Sequence, residues 1–166
     1  MINDIITQKK IVDTLECVGD YGPLLLFALS LVLLSNKGTI LYVYICGIVV
    51  GYMLNPFLKG IIQEIRPINN LNINSWIDQE YHLYPQRYGM PSRHVQGVVF
   101  SLTFICLTLK NFKISILYVF FSLVTMYQRI ASKGHSLSQT LVGALAGSLL
   151  GWCFYMLACF GVIVGK

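Results

Sequence analysis

Five stretches of this chain are almost wholly apolar, at about residues 21–36, 39–56, 94–110, 112–128 and 138–163. Hydrocarbon offers no partner to a backbone N–H or C=O, so a stretch that crosses a bilayer coils into a helix that satisfies itself. The reading is therefore an all-α, polytopic membrane helix bundle with about five transmembrane helices. Residues 1–20 are expected to form an N-terminal interfacial segment, with apolar positions at 2, 5, 6, 12 and 15, and residues 21–163 a single membrane domain. The first stretch is short: sixteen residues at about 1.5 Å each reach about 24 Å, which suits a thin bilayer or adjustable ends. The N-terminus carries no apolar signal-peptide core and no small-residue cleavage site.

Charge excludes other classes. Charged residues are 11% of the chain and the net charge is +5, with Lys and Arg scattered rather than clustered, which argues against a nucleic-acid partner. The five cysteines have no CxxC spacing and are read as small core residues. Gly143, Gly147 and Gly151 recur every fourth residue in the last stretch and predict a smooth helix face for close packing, a device repeated by Gly47 and Gly51.

The tight connections at Asn36-Lys37-Gly38 and at 110–113 predict antiparallel neighbours. One membrane face then holds Lys37, Lys110, Lys113 and Lys166 and no acid. All seven acids (Asp4, Asp13, Glu16, Asp20, Glu64, Asp78 and Glu80) fall on the other face, with eight of the twelve basic residues. The purely basic face reads as cytosolic. Segment 57–93 is long for an idle connection, and its Trp76, Tyr81, Tyr84 and Tyr88 suit a membrane–water boundary or a headgroup site. Glu80 and His82 are spaced too closely to share a helix face, so no metal site is expected there.

The acid-bearing face also collects three basic clusters: Lys59 with Arg66-Pro67; Pro91-Ser92-Arg93-His94; and Arg129 with His135 and Gln139. An even number of crossings separates them, so they can meet. Holding Arg or Lys toward a bilayer costs about 2.5–3.5 kcal/mol at its centre and less at its edge, a cost that a bound anion offsets. Arg presents a planar fork to phosphate oxygens, and Lys a point charge. Pro91-Ser92 predicts a helix start, where free N–H groups favour an anion. Ser136-Leu-Ser-Gln139 fits a capping box at the start of the last helix. Gln139, one turn beyond His135, is also placed to accept its ring N–H and fix the tautomer.

The spaced set Lys-x6-Arg-Pro, Pro-Ser-x-His and Arg-x5-His resembles the type 2 phosphatidic acid phosphatase superfamily over about residues 40 to 155. "IQEIRP", "YGMPSRHVQ" and "HSLSQTLVG" are similar to its dolichyl diphosphatase branch. Most of the superfamily carries Asp where this chain has Gln139, and a small residue where it has Arg93. The resemblance implies a lipid phosphatase without cofactor or metal, embedded in the bilayer. Its substrate would be a membrane lipid phosphate or diphosphate. It implies that His135 attacks phosphorus to form a phosphohistidine and that His94 protonates the leaving oxygen and then activates water. Gln139 would orient His135, and Lys59, Arg66, Ser92, Arg93 and Arg129 would hold the phosphate. The branch further implies a polyprenyl diphosphate substrate and an endoplasmic reticulum location with a lumenal site. Phosphatidate or another lipid phosphate remains an alternative, as does a non-catalytic protein that keeps the fold.

Overall fold

In the computed structural model, residues 2–67 and 87–164 are described, and the side chains within them from 14 and from 17–161. Trp76, Tyr81, Tyr84, Glu80 and His82 lie outside the described residues. The chain folds into five helices: α1 (Ile2–Leu34), α2 (Gly38–Ile62), α3 (Arg93–Leu109), α4 (Phe112–Ala131) and α5 (Leu137–Val164). Among the described residues there is no strand, only an isolated antiparallel bridge between Ile65 and Tyr88. Four helices are long and apolar enough to cross a membrane: α2, α4, and the Cys17–Leu34 and Leu137–Gly161 portions of α1 and α5. The chain is an integral membrane helix bundle.

The apolar exterior follows from that setting. Val32, Tyr42, Met53 and Phe112 are each at least 70% exposed, which water would penalise and hydrocarbon does not. The fifth helix, α3, has 17 residues and runs about 25 Å. It is central, touching every other helix and packing most extensively on α5. Phe100, Phe104 and Tyr44 form an aromatic centre between α2 and α3, with ring centroids 5.3–6.0 Å apart.

The glycine stripe of α5 faces α3. A Cβ on Gly143 would stand 2.7 Å from the Ser92 carbonyl oxygen, and one on Gly151 2.8 Å from that of Phe100. Three turns of α5 thus lie directly on the α3 backbone, and dispersion at that distance replaces the hydrophobic drive that lipid does not supply.

Helix α1 runs without a break through residue 20. One boundary differs from expectation. Helix α2 continues past Pro56 to Ile62, because one missing N–H interrupts a membrane helix less than it would an exposed one. That extra turn carries Lys59 to the end of the bundle where the site forms. The turns at 35–37 and 110–111 lie at the opposite end.

Candidate active site

The three basic clusters converge at one end of the bundle, each delivered by a different junction. Segment 63–67 leaves α2 and pairs with 87–89: Gly89 N–H donates to the Glu64 carbonyl at 2.8 Å and Arg66 N–H to that of Arg87 at 3.4 Å. This sets Arg66 beside the start of α3. Ser92 caps α3 by position, and its N–H donates to the Gln139 carbonyl at 3.0 Å, tying that start to α5. The turn between α4 and α5 carries His135, whose N–H donates to the Arg129 carbonyl at 3.0 Å.

His135 is 3% exposed and Gln139 fully buried. Nδ1 of His135 lies 3.2 Å from Gln139 Oε1, and Nε2 lies 3.0 Å from Arg66 Nη1. A guanidinium only donates, so Nε2 accepts and the ring proton is on Nδ1, donated to Gln139. The carboxamide is fixed in turn. Its Nε2 donates to Glu64 Oε1 and to the Ile65 carbonyl, both at 3.0 Å, while Oε1 also accepts from Ser136 N–H at 3.2 Å. Gln139 N–H donates back to Ser136 Oγ at 3.2 Å, which completes the capping box. The helix-cap role and the imidazole-orienting contact coexist on one oxygen. Burial, then the cations Arg66, Lys59 and Arg129, and then His94, push the His135 imidazolium pKa well below its ordinary value. His135 is thus held neutral.

Arg129 is 2% exposed. Its Nε donates to Gln128 Oε1 at 2.6 Å, its Nη2 pairs with Asp20 of α1, and its Nη1 stands 3.5 Å from His94 Nδ1. Lys59 is also buried, at 2%. Ser92 Oγ is buried and makes no hydrogen bond among the described residues. Arg93 turns the other way, with Nη1 donating to Tyr52 Oη at 3.1 Å and its guanidinium 4.7 Å from the centre of the Tyr52 ring. The structure therefore brings together Lys59, Arg66, Ser92, His94, Arg129, His135 and Gln139, and sets Arg93 at the rim.

Beyond His94 lies a cavity of about 390 Å³ between α1, α2, α3 and α5. Asp20, Tyr52, Arg93, His94 and Gln96 are among its polar lining, and Phe27, Phe100 and Leu150 among its apolar walls. His94 thus borders both the cation cluster and an apolar slot.

Sequence reasoning did not single out Glu64, Asp20 or the amides behind the α3 start. Asn55 Nδ2 donates to Gln96 Oε1 at 2.7 Å and to the Pro91 carbonyl at 3.2 Å, and Gln96 Nε2 to the Gly51 carbonyl at 3.0 Å. The available signal was an amide inside each of two apolar stretches, which lipid tolerates only when it is satisfied.

Residues 40–160 match the sequence model of the PAP2 superfamily. A protein named lipid A 4'-phosphatase from Bacteroides thetaiotaomicron is 28% identical over 137 residues, covering 76% of this chain. The chain spans 60% of that relative's length. No solved structure matches the chain.

Proposed function

This chain belongs to the PAP2 superfamily, and we propose that it hydrolyses a polyprenyl, dolichyl-type diphosphate to the monophosphate through a phosphohistidine. Family membership supports the coarser statement that it is a membrane lipid phosphatase. One observation carries the mechanism: a buried, neutral His135 has its proton fixed on Nδ1, and Lys59, Arg66 and Arg129 gather around it while His94 opens onto an apolar slot. A lipid phosphate fits that boundary, with its phosphoryl group among the cations and its chain in the slot.

Arg66 occupies the Nε2 lone pair. A phosphoryl oxygen, carrying full charge, competes for that guanidinium and frees Nε2 to attack phosphorus. The N–P bond forms as the bond to the leaving oxygen breaks, and His94 gives that oxygen a proton. In the second step His94 takes a proton from water as its oxygen attacks phosphorus and the N–P bond breaks. Lys59, Arg66 and Arg129 meet the charge on the transferring group, with Ser92 Oγ as a further donor, and no metal takes part. The dolichyl-type substrate is supported by the three motif stretches and by Gln139. The endoplasmic reticulum, with a lumenal site, is proposed on the same resemblance and on the basic opposite face.

The test is phosphate release by the purified protein from dolichyl diphosphate, dolichyl phosphate, phosphatidate and a glycolipid monophosphate, with and without chelator. The diphosphate is expected to be preferred, chelator to have no effect, and His135→Ala to abolish release. Turnover that survives His135→Ala would end the phosphohistidine reading. Preference for a monophosphate would move the substrate toward that named for the Bacteroides relative.

A further inference from the structure

Gln139 contacts the reacting imidazole but carries no charge. A carboxylate stands directly behind it: Gln139 Nε2 donates to Glu64 Oε1 at 3.0 Å, and the same oxygen lies 3.4 Å from Ser136 Oγ and from Ser138 Oγ. Glu64 is held from its own backbone as well, through the Gly89 N–H at 2.8 Å. The result is a directed chain: His135 Nδ1–H to the Gln139 carbonyl, and Gln139 N–H to the Glu64 carboxylate.

We propose that Glu64 is a positioning residue for the phosphatase reaction, supplying through the Gln139 carboxamide the negative charge that the amide lacks. The inference rests on the phosphatase reading above. When His135 Nε2 bonds to phosphorus, Nδ1 keeps its proton and the ring becomes cationic. Four cationic or imidazole groups already face that ring: Lys59 from α2, His94 from α3, Arg129 from α4 and Arg66 from the segment that carries Glu64. All of them oppose a cationic ring, and a neutral amide offsets them weakly. A carboxylate on the far side of the amide polarises it, making Oε1 a better acceptor, and adds charge one residue away. The amide between them keeps the two charges apart, so His135 stays neutral until it reacts.

Glu64 also sits by the first turn of α5, where an acid stabilises a helix start. A purely structural role is separable. Glu64→Gln keeps the shape and an acceptor for Gln139 and removes only the charge. It is expected to leave KM and the melting temperature near wild type, lower kcat about 10-fold, and move the acid limb of kcat/KM to lower pH. The limb moves down because losing a nearby negative charge makes His135 harder to protonate. Gln139→Glu alone sets two carboxylates against each other and is expected to be worse. The exchange Glu64→Gln with Gln139→Glu keeps one charge and one amide in the chain but loses the donor to the Ile65 carbonyl, so it is expected to recover part of the kcat that Gln139→Glu alone loses.

Diphosphatase turnover and melting are read on all three variants beside His135→Ala. If Glu64→Gln matches wild type in kcat and pH profile while His135→Ala is dead, the Glu64 role is overturned and the phosphatase reading stands. If kcat falls only in step with melting temperature and the exchange restores nothing, Glu64 is a helix cap and the proposal fails. If His135→Ala remains active, the reading beneath it fails first.

Discussion

In the proposed mechanism the chemistry turns on His135, and the surroundings of that residue dictate how it titrates. Burial and the cations Arg66, Lys59 and Arg129 hold its pKa well below about 6.5, the value of a free imidazole. A depressed pKa means that the unfolded chain takes up the proton first as pH falls. The stabilisation is complete above the unfolded pKa and is lost as pH drops toward the folded one. In the proposed reaction the same depression keeps the attacking imidazole neutral as pH falls below the ordinary imidazole value. The acid limb of kcat/KM is therefore expected below pH about 6.5. Arg66 is the largest charged contributor, so Arg66→Met should move that limb upward toward the free value while lowering kcat/KM through lost phosphate binding. Profiles of the two proteins on one substrate cancel the substrate's own titration. A limb that stayed in place would show that Arg66 does not contribute and that burial and the remaining cations set the shift.

At the scale of elements, the site exists because helix ends and the turns beside them bring the histidines together, His94 from the first turn of α3 and His135 from the turn before α5. Gly89 is the tightest point of that arrangement: a Cβ there would overlap the Gln139 carboxamide. Gly89→Ala should push Gln139 off His135 Nδ1, lowering kcat by about 100-fold, with a stability loss of about 1–3 kcal/mol, read by phosphate release and thermal unfolding. Little of this was legible beforehand. The apolar stretches foretold five helices, and the small-residue spacing foretold a close-packed face on α5, because lipid imposes both locally; that α3 is the helix packed there came from the fold. Cations at the span edges announced Lys59, Arg66, Arg129 and the two histidines, since a charge held at a bilayer rim needs a reason. Glu64 and Asp20 looked like ordinary polar-face acids. Their partners, Gln139 and Arg129, are 75 and 109 residues away in the chain, and only tertiary pairing assigns them. Arg93, expected among the phosphate ligands, turns its guanidinium to the Tyr52 ring, a contact that the sequence did not announce.

For the whole molecule, the bundle's charge asymmetry bears on the proposed orientation of the site. The turns bearing Lys37, Lys110 and Lys113 lie at the end away from the site, and the acids Asp20 and Glu64 lie beside the site. Several cations at the site end are tied up: Arg129 by Asp20, Arg66 by His135 and the Gly134 carbonyl at 3.0 Å, and Arg93 by Tyr52. Cations locked in a site contribute less to orientation during insertion than the unopposed lysines of the short turns, so the basic turns should remain cytosolic. Lys133, exposed in the turn that carries His135, reports the opposite side. In a background with the exposed Cys17 replaced by Ser, Lys110→Cys should react with a membrane-impermeant maleimide added to the cytosol. Lys133→Cys should react only when the far side is opened. The labelling is scored against the unsubstituted background to remove reaction at the remaining cysteines. Labelling of Lys133→Cys from the cytosol would invert the bundle. The phosphoryl chemistry would survive that result, because it depends on the cluster and not on the side it faces, but a lumenal substrate pool would not.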